Sequence, residues 1–237
     1  MQLQKSSTVA VRYAQTQQRL VTVVRSVASE KRGFLEQLKA EHNQLERSDF
    51  IWHYLLQSFA TMGNVRGWAG LIDNHDNYQK VTFEVLSQLP SSERLAVLEK
   101  TLRDAKVRMP VKKAKWLAQN FDRIVRMGGL AAARAALMSK PGRAGKMRFL
   151  KSFDGIGDKY ARNIMMDVYH PDFRESVAID VRITSLSNQL GLSFDSYEEH
   201  EQFYLDVAHE AGLNGWELDR LLFNFRDEVM RRLQQVV

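Results

Sequence analysis

FDGIGDKYARNIMMDVYHPDFRESVAIDVRI, residues 153–183, is the stretch from which the rest of the chain can be read. Gly155-Ile156-Gly157 forms a tight turn, a helix starts at Asp158, Lys159 stands on its first turn, and Asp180 follows a short loop. Two glycines allow positive φ and close approach of another backbone, and Ile156 between them can plug the turn into a core. The helix that follows directs free N–H groups and its positive dipole end outward, an arrangement that suits a phosphate. Taken singly, each feature has a plainer explanation. G-x-G before a helix also serves tight helix connections, Lys159 alone fits a surface lysine, and Asp180 alone fits a helix N-cap.

The charge distribution gives the turn a context. Between Arg103 and Arg148 there are thirteen Lys/Arg against two Asp, a local balance of +11. With +6 overall, the rest of the chain carries −5. Such a block is a directional field suited to a polyanion, and it runs directly into the glycine turn. Its plainer reading is a solvated helix face.

At 237 residues the chain is long enough for one packed domain or two joined subdomains. It has no cysteine, which excludes disulfides, Cys-ligated zinc and Cys-ligated iron–sulfur clusters. The N-terminal residues lack the apolar segment of a signal peptide, and no run approaches the roughly 18 apolar residues of a membrane span. A soluble, cytoplasmic protein is expected, nucleoid-associated if bacterial.

Helical periodicity recurs nearly throughout, and no credible strand alternation appears. Residues 7–43 read as helix, with Leu20, Val23, Val24 and Val27 on one stripe and a break near Gly33. Residues 50–56 are too apolar for a surface helix and are expected at a core. Further helices are expected over 65–72, from 91 to near 109, and over 111–126, 130–138, 144–152, 158–169, from about 180, 196–210 and 216–233. Pro171 falls in an extended loop. The fold class is all-α.

Residues 153–161, together with Val177-Ala178-Ile179-Asp180-Val181-Arg182-Ile183, resemble the helix-hairpin-helix, Gly/Pro-Asp superfamily of base-excision DNA glycosylases. Endonuclease III and the 8-oxoguanine glycosylases are its best-known members. The family pattern is L-P-G-V/I-G-x-K-x-A, then a loop and V-D-x-x-hydrophobic. Here Phe153 replaces Leu and Asp154 replaces Pro, while the glycines stand. Upstream, residues 108–117 are similar to the family's R/Y-x-x-K-A-x-x-L helix, and residues 55–64 to the helix end carrying its DNA wedge. The likeness extends over 48–235 and is specific over 153–183.

The resemblance implies a division of roles. Lys159 is the nucleophile that attacks deoxyribose C1′, forms a Schiff base and then cleaves the strand. For this it needs burial or a cationic neighbour to lower its pKa. Asp180 opposes positive charge on the sugar or helps deprotonate the lysine. Gly155, Ile156, Gly157 and Asp158 hold DNA phosphate, Lys112, Lys113 and Lys115 add positive charge, and Met62 or Asn64 fills the gap left by a flipped base. Base recognition falls to the C-terminal helix, where Trp216 or Phe223 stacks on the base and Asp219 bonds its edge; the plainer reading of that helix is a core stripe.

The implied architecture has a middle subdomain, 48–175, carrying the hairpin, and a second one made of 1–47 and 176–237, with the active site at their junction. The implied partner is double-stranded DNA containing a damaged base, an oxidised purine such as 8-oxoguanine, acted on by a monomer. No cofactor is required, a monovalent cation at the hairpin is implied, and no iron–sulfur cluster is. The alternatives are a non-catalytic helix-hairpin-helix DNA-binding protein and a helical scaffold.

Overall fold

The computed structural model describes residues 2–42, 45–63 and 66–235, with side chains from Tyr13 onward. Thirteen α-helices, one π-helical turn and one 3₁₀ turn make up its regular structure, and there is no strand among the described residues. The all-α reading holds. By contact the chain divides into two compact units, 44–164 and 1–43 with 165–237.

In chain order the helices are α1 (Gln2–Glu30), α2 (Arg32–Glu41), α3 (Phe50–Thr61), α4 (His75–Lys80), α5 (Phe83–Ser87), α6 (Ser91–Asp104) and α7 (Pro110–Arg126). Then come α8 (Leu130–Met138), α9 (Gly142–Lys151), α10 (Asp158–Met166), α11 (Val181–Gln189), α12 (Tyr197–Ala211) and α13 (Gly215–Gln235). The π-helical turn is Trp68–Ile72 and the 3₁₀ turn Pro171–Phe173.

The 44–164 unit is organised around α3. Ten of its twelve residues are buried, so it packs on every side, as its uninterrupted apolar run requires. Trp52 donates its indole N–H to Val81 O at 2.7 Å, which satisfies the polar atom of a wholly buried ring. Pro110 opens α7 at a position where a missing N–H costs nothing. Ala114, Leu117, Phe121 and Ile124 then recur at helical spacing and face inward.

The other unit gathers α1, α2, α11, α12 and α13. The stripe Leu20, Val23, Val24 and Val27 is buried among α12 and α13, each residue contributing roughly 1.5–3 kcal/mol through loss of contact with water. The break expected near Gly33 in the long N-terminal helix falls at Lys31, two residues before it. Lys31 takes φ −101° and ψ 14°, and Gly33 lies inside α2, where helices tolerate glycine at about 1 kcal/mol.

Candidate active site and nucleic-acid interface

The hairpin between α9 and α10 is fixed from below. Phe153 and Ile156 are buried, and the Ile156 N–H donates to Phe153 O at 3.2 Å, closing the turn. Gly155 takes φ +81°, and a Cβ there would lie 2.6 Å from the Trp116 ring and 2.8 Å from Phe59. This glycine is therefore required twice, by conformation and by space. Gly157 differs: it is exposed, and a Cβ on it would meet nothing within 4 Å. The Asn120 side chain, wholly buried on α7, donates from Nδ2 to Asp154 O at 3.0 Å and accepts from Asp154 N–H at 2.8 Å.

Asp158, the first residue of α10, sits at the positive end of the helix and pairs with Lys151 Nζ at 2.7 Å. That hydrogen bond holds its carboxyl below the ordinary aspartate range. Arg162 Nη1 lies 3.6 Å from the same oxygen.

Lys159 follows on the first turn of α10, half-buried, with Nζ 4.9 Å from the centroid of the Tyr160 ring. Among the described residues it has no carboxylate partner, so its amine is not held in an ion pair.

The three lysines of α7 separate by burial. Lys112 and Lys115 are exposed, and Lys112 Nζ stands 4.8 Å from the Trp116 centroid. Lys113 is fully buried, and its ammonium donates to Phe59 O and Met62 O, both at 2.8 Å. Its partners are the last carbonyls of α3, which otherwise lack intrahelical donors. Burial first, and the Arg108 charge second, push its pKa down to about 8. In this geometry Lys113 caps a helix and has no donor facing a phosphate, which departs from the DNA-binding role that the sequence implied. Lys146 is likewise internal, donating to Lys140 O at 2.9 Å. Met62 is half-buried at the end of α3, before Gly63 at φ +81°; Asn64 lies outside the described residues.

In the other unit Asp180 is the N-cap of α11. Its Oδ1 accepts from the Arg182 N–H at 2.8 Å and the Ile183 N–H at 3.0 Å. Oδ2 has no partner among the described residues, so one half-buried carboxylate has a structural oxygen and a free one.

The C-terminal helix places its three candidate residues unequally. Trp216 is fully buried, with its indole N–H donating to Met166 O at 2.7 Å and its ring against Tyr169 and His42. Asp219 is 6 % exposed and accepts from the Ala178 N–H at 2.9 Å. Burial raises its carboxyl to about 6. Phe223 is exposed, with the Arg182 guanidinium 4.4 Å from its centroid. Of the three, Phe223 alone offers a ring face to a ligand. The plainer sequence reading of this helix as core describes Trp216 and Asp219 better.

Two solved structures are similar to this chain in fold. One is the 8-oxoguanine DNA glycosylase of Thermotoga maritima, at TM-score 0.64 and 19% identity, covering 88% of this chain and 96% of that one. The other is the 8-oxoguanine DNA glycosylase of Methanocaldococcus jannaschii, at TM-score 0.65 and 19% identity, covering 87% and 93%. This chain has the fold of these two proteins. No family model and no curated protein sequence matches it.

Within that fold the unusual Asp154 has a local reason. Its N–H donates to Asn120, and the proline of the family pattern has no N–H to give. The described residues contain no group of three His, Cys, Asp or Glu side chains able to hold a metal ion, and no helix among them is long and apolar enough to cross a membrane. With no cysteine in the chain, a cysteine-held cluster is chemically excluded.

Proposed function

We propose that this protein is a base-excision DNA glycosylase with abasic-site lyase activity, acting on an oxidised purine such as 8-oxoguanine in double-stranded DNA. The observation that carries the reading is Lys159: an unpaired amine on the helix that follows the glycine hairpin, in a chain with the fold of two 8-oxoguanine DNA glycosylases.

The chemistry follows from the residue types. The unprotonated Lys159 amine forms the bond to C1′ as the N-glycosidic bond breaks and the base leaves with the electron pair. Loss of an amine proton and ring opening give the Schiff base, and removal of a C2′ proton then expels the 3′ phosphate. Asp180 offsets the positive charge on the sugar through the oxygen that the helix cap leaves free. Gly155, Ile156, Gly157 and Asp158 present the hairpin to phosphate, and hairpin carbonyls would hold a monovalent cation there. The exposed Lys112 and Lys115 add positive charge. Met62 occupies the space of the flipped base, and Phe223 stacks on that base. The protein works as a monomer and needs no organic cofactor.

Borohydride trapping on an 8-oxoguanine duplex and an abasic duplex tests this directly. The wild-type protein is expected to form a covalent adduct, and Lys159→Ala to form none. An absence of adduct with wild type, or equal trapping by Lys159→Ala, would remove the lysine mechanism. DNA binding without base release would leave the non-catalytic alternative.

A further inference from the structure

The backbone just before Asp180 belongs to no helix, and its unit has no strand among the described residues to pair with it. Val177 and Ala178 are also buried there, so their N–H groups cannot turn to water. Side chains take the place of a neighbouring strand. The Val177 N–H donates to Glu201 Oε1 at 3.1 Å, the Ala178 N–H to Asp219 Oδ1 at 2.9 Å and the Ile179 N–H to Tyr197 OH at 2.8 Å. Three consecutive amides are thus held by α12 and α13.

The start of α13 clamps the same strap from another direction. The Trp216 N–H donates to Arg174 O at 2.8 Å, and a Cβ on Gly215 would stand 2.8 Å from Ser176 N and 3.0 Å from Ser176 O. The next residue after the pinned amides is Asp180, whose Oδ1 is fixed in turn by the α11 cap.

Two of the three acceptors are carboxylates that are almost completely buried, Glu201 at 3 % and Asp219 at 6 % exposure. Asp219 also has the Arg220 guanidinium 3.8 Å from its Oδ2, yet burying a carboxylate remains costly where an amide side chain would pack as well. Charged acceptors make shorter and stronger hydrogen bonds, so what is gained is stiffness of the segment. A reacting carboxylate needs stiffness, since a displacement of about 1 Å can cost on the order of 100-fold in rate.

We infer that Asp219, Glu201 and Tyr197 are positioning residues for Asp180: they fix the 177–179 backbone so that the free Asp180 oxygen is presented in one place. This rests on the function proposed above, and it gives Asp219 a role in the scaffold in place of contact with the base.

The test compares Asp219→Leu, which removes the acceptor, with Asp219→Asn, which keeps it, and with the milder Tyr197→Phe. Three readouts are needed: single-turnover excision from an 8-oxoguanine duplex, affinity for a duplex with a tetrahydrofuran abasic analogue, and hydrogen exchange of the 177–179 amides. Asp219→Leu is expected to speed exchange and to lose about 100-fold in excision rate while keeping analogue affinity within about 3-fold. Tyr197→Phe should show the same pattern more weakly, and Asp219→Asn should recover most of the rate. Should Asp219→Leu fail to fold, Tyr197→Phe carries the comparison. Faster exchange with wild-type excision would overturn the positioning role, as would an Asp219→Asn variant no better than Asp219→Leu. A wild-type protein that excises nothing would instead overturn the functional reading, and the positioning role with it.

Discussion

Asn120 and Asp154 form a closed pair in which one side-chain amide satisfies both the N–H and the C=O of a single residue, at 2.8 and 3.0 Å. The pair joins the middle of α7 to the first residue of the hairpin turn. Asn120→Leu should therefore cost about 2–4 kcal/mol, because two backbone groups lose their partners at once. Asp154→Pro should also destabilise the wild type, but cost less in the Asn120→Leu background, where there is no acceptor left to orphan. Urea titrations of the four proteins measure that coupling, and additive effects would contradict it.

Gly155 and Gly157 should behave oppositely under the same substitution. Gly155→Ala forces a Cβ to within 2.6 Å of Trp116 at a φ of +81°, so the hairpin must shift, and a thermal midpoint several degrees lower is expected. Gly157→Ala meets nothing within 4 Å and should leave the melting temperature near wild type. If the hairpin holds phosphate, Gly157→Ala should still weaken binding to a DNA duplex in a filter or anisotropy assay.

Lys113 is expected to act through stability. Lys113→Met keeps the stem and removes the two donors at Phe59 O and Met62 O, for a loss of about 2–3 kcal/mol. The salt dependence of DNA affinity should stay as in wild type, whereas Lys112→Ala and Lys115→Ala should each reduce the log–log slope by about 1 if they neutralise phosphates. A reduced slope for Lys113→Met would return it to the interface.

Two buried groups give stability opposite dependences on pH. His53 hydrogen-bonds through Nδ1 to Tyr78 OH at 2.7 Å, and burial lowers its pKa to about 4. The unfolded chain then binds the extra proton first. This contribution is complete above pH 6.5 and is lost as pH falls toward 4, by about 3 kcal/mol at most. Asp219, raised to about 6 by burial, works the other way: it is neutral in both states below pH 3.8, and its buried charge costs stability as pH rises to 6. His53→Phe should flatten the loss of thermal stability between pH 6.5 and 5. Asp219→Asn, which keeps the acceptor for Ala178, should be more stable than wild type at pH 7.5 and lose that advantage near pH 4. Parallel melting curves across this range check both signs.

Much of the fold was legible because its signals are local. The apolar run of α3, the stripe on α1 and the alternating three- and four-residue spacing on α7 all follow from helical periodicity. The short helices α4 and α5 were missed, being too brief to show a period. Their caps did carry a signal, since Asn74 and Thr82 accept from Asn77 N–H and Val85 N–H. At the candidate site, the capping role of Asp180 could be read directly from its sequence. The internal direction of Lys113 could not be, and for Trp216 and Asp219 the core stripe was legible but their partners were not, because each is set by carbonyls or amides from distant parts of the chain. Charge counting treats all thirteen cations of the basic block alike, and burial removes Lys113 and Lys146 from any surface sum.

The two oxygens of Asp180 make a reagent available. Asparagine is as good an N-cap as aspartate, and Asp180→Asn can keep its Oδ1 on Arg182 N–H and Ile183 N–H. The side chain would then retain its architectural half while losing the charge that the proposed reaction calls for. Such a variant should stay folded, engage its lesion and stall there. Immobilised, it becomes a bait that retains fragments bearing the lesion from digested genomic DNA, so that the protein itself reports which base it seeks.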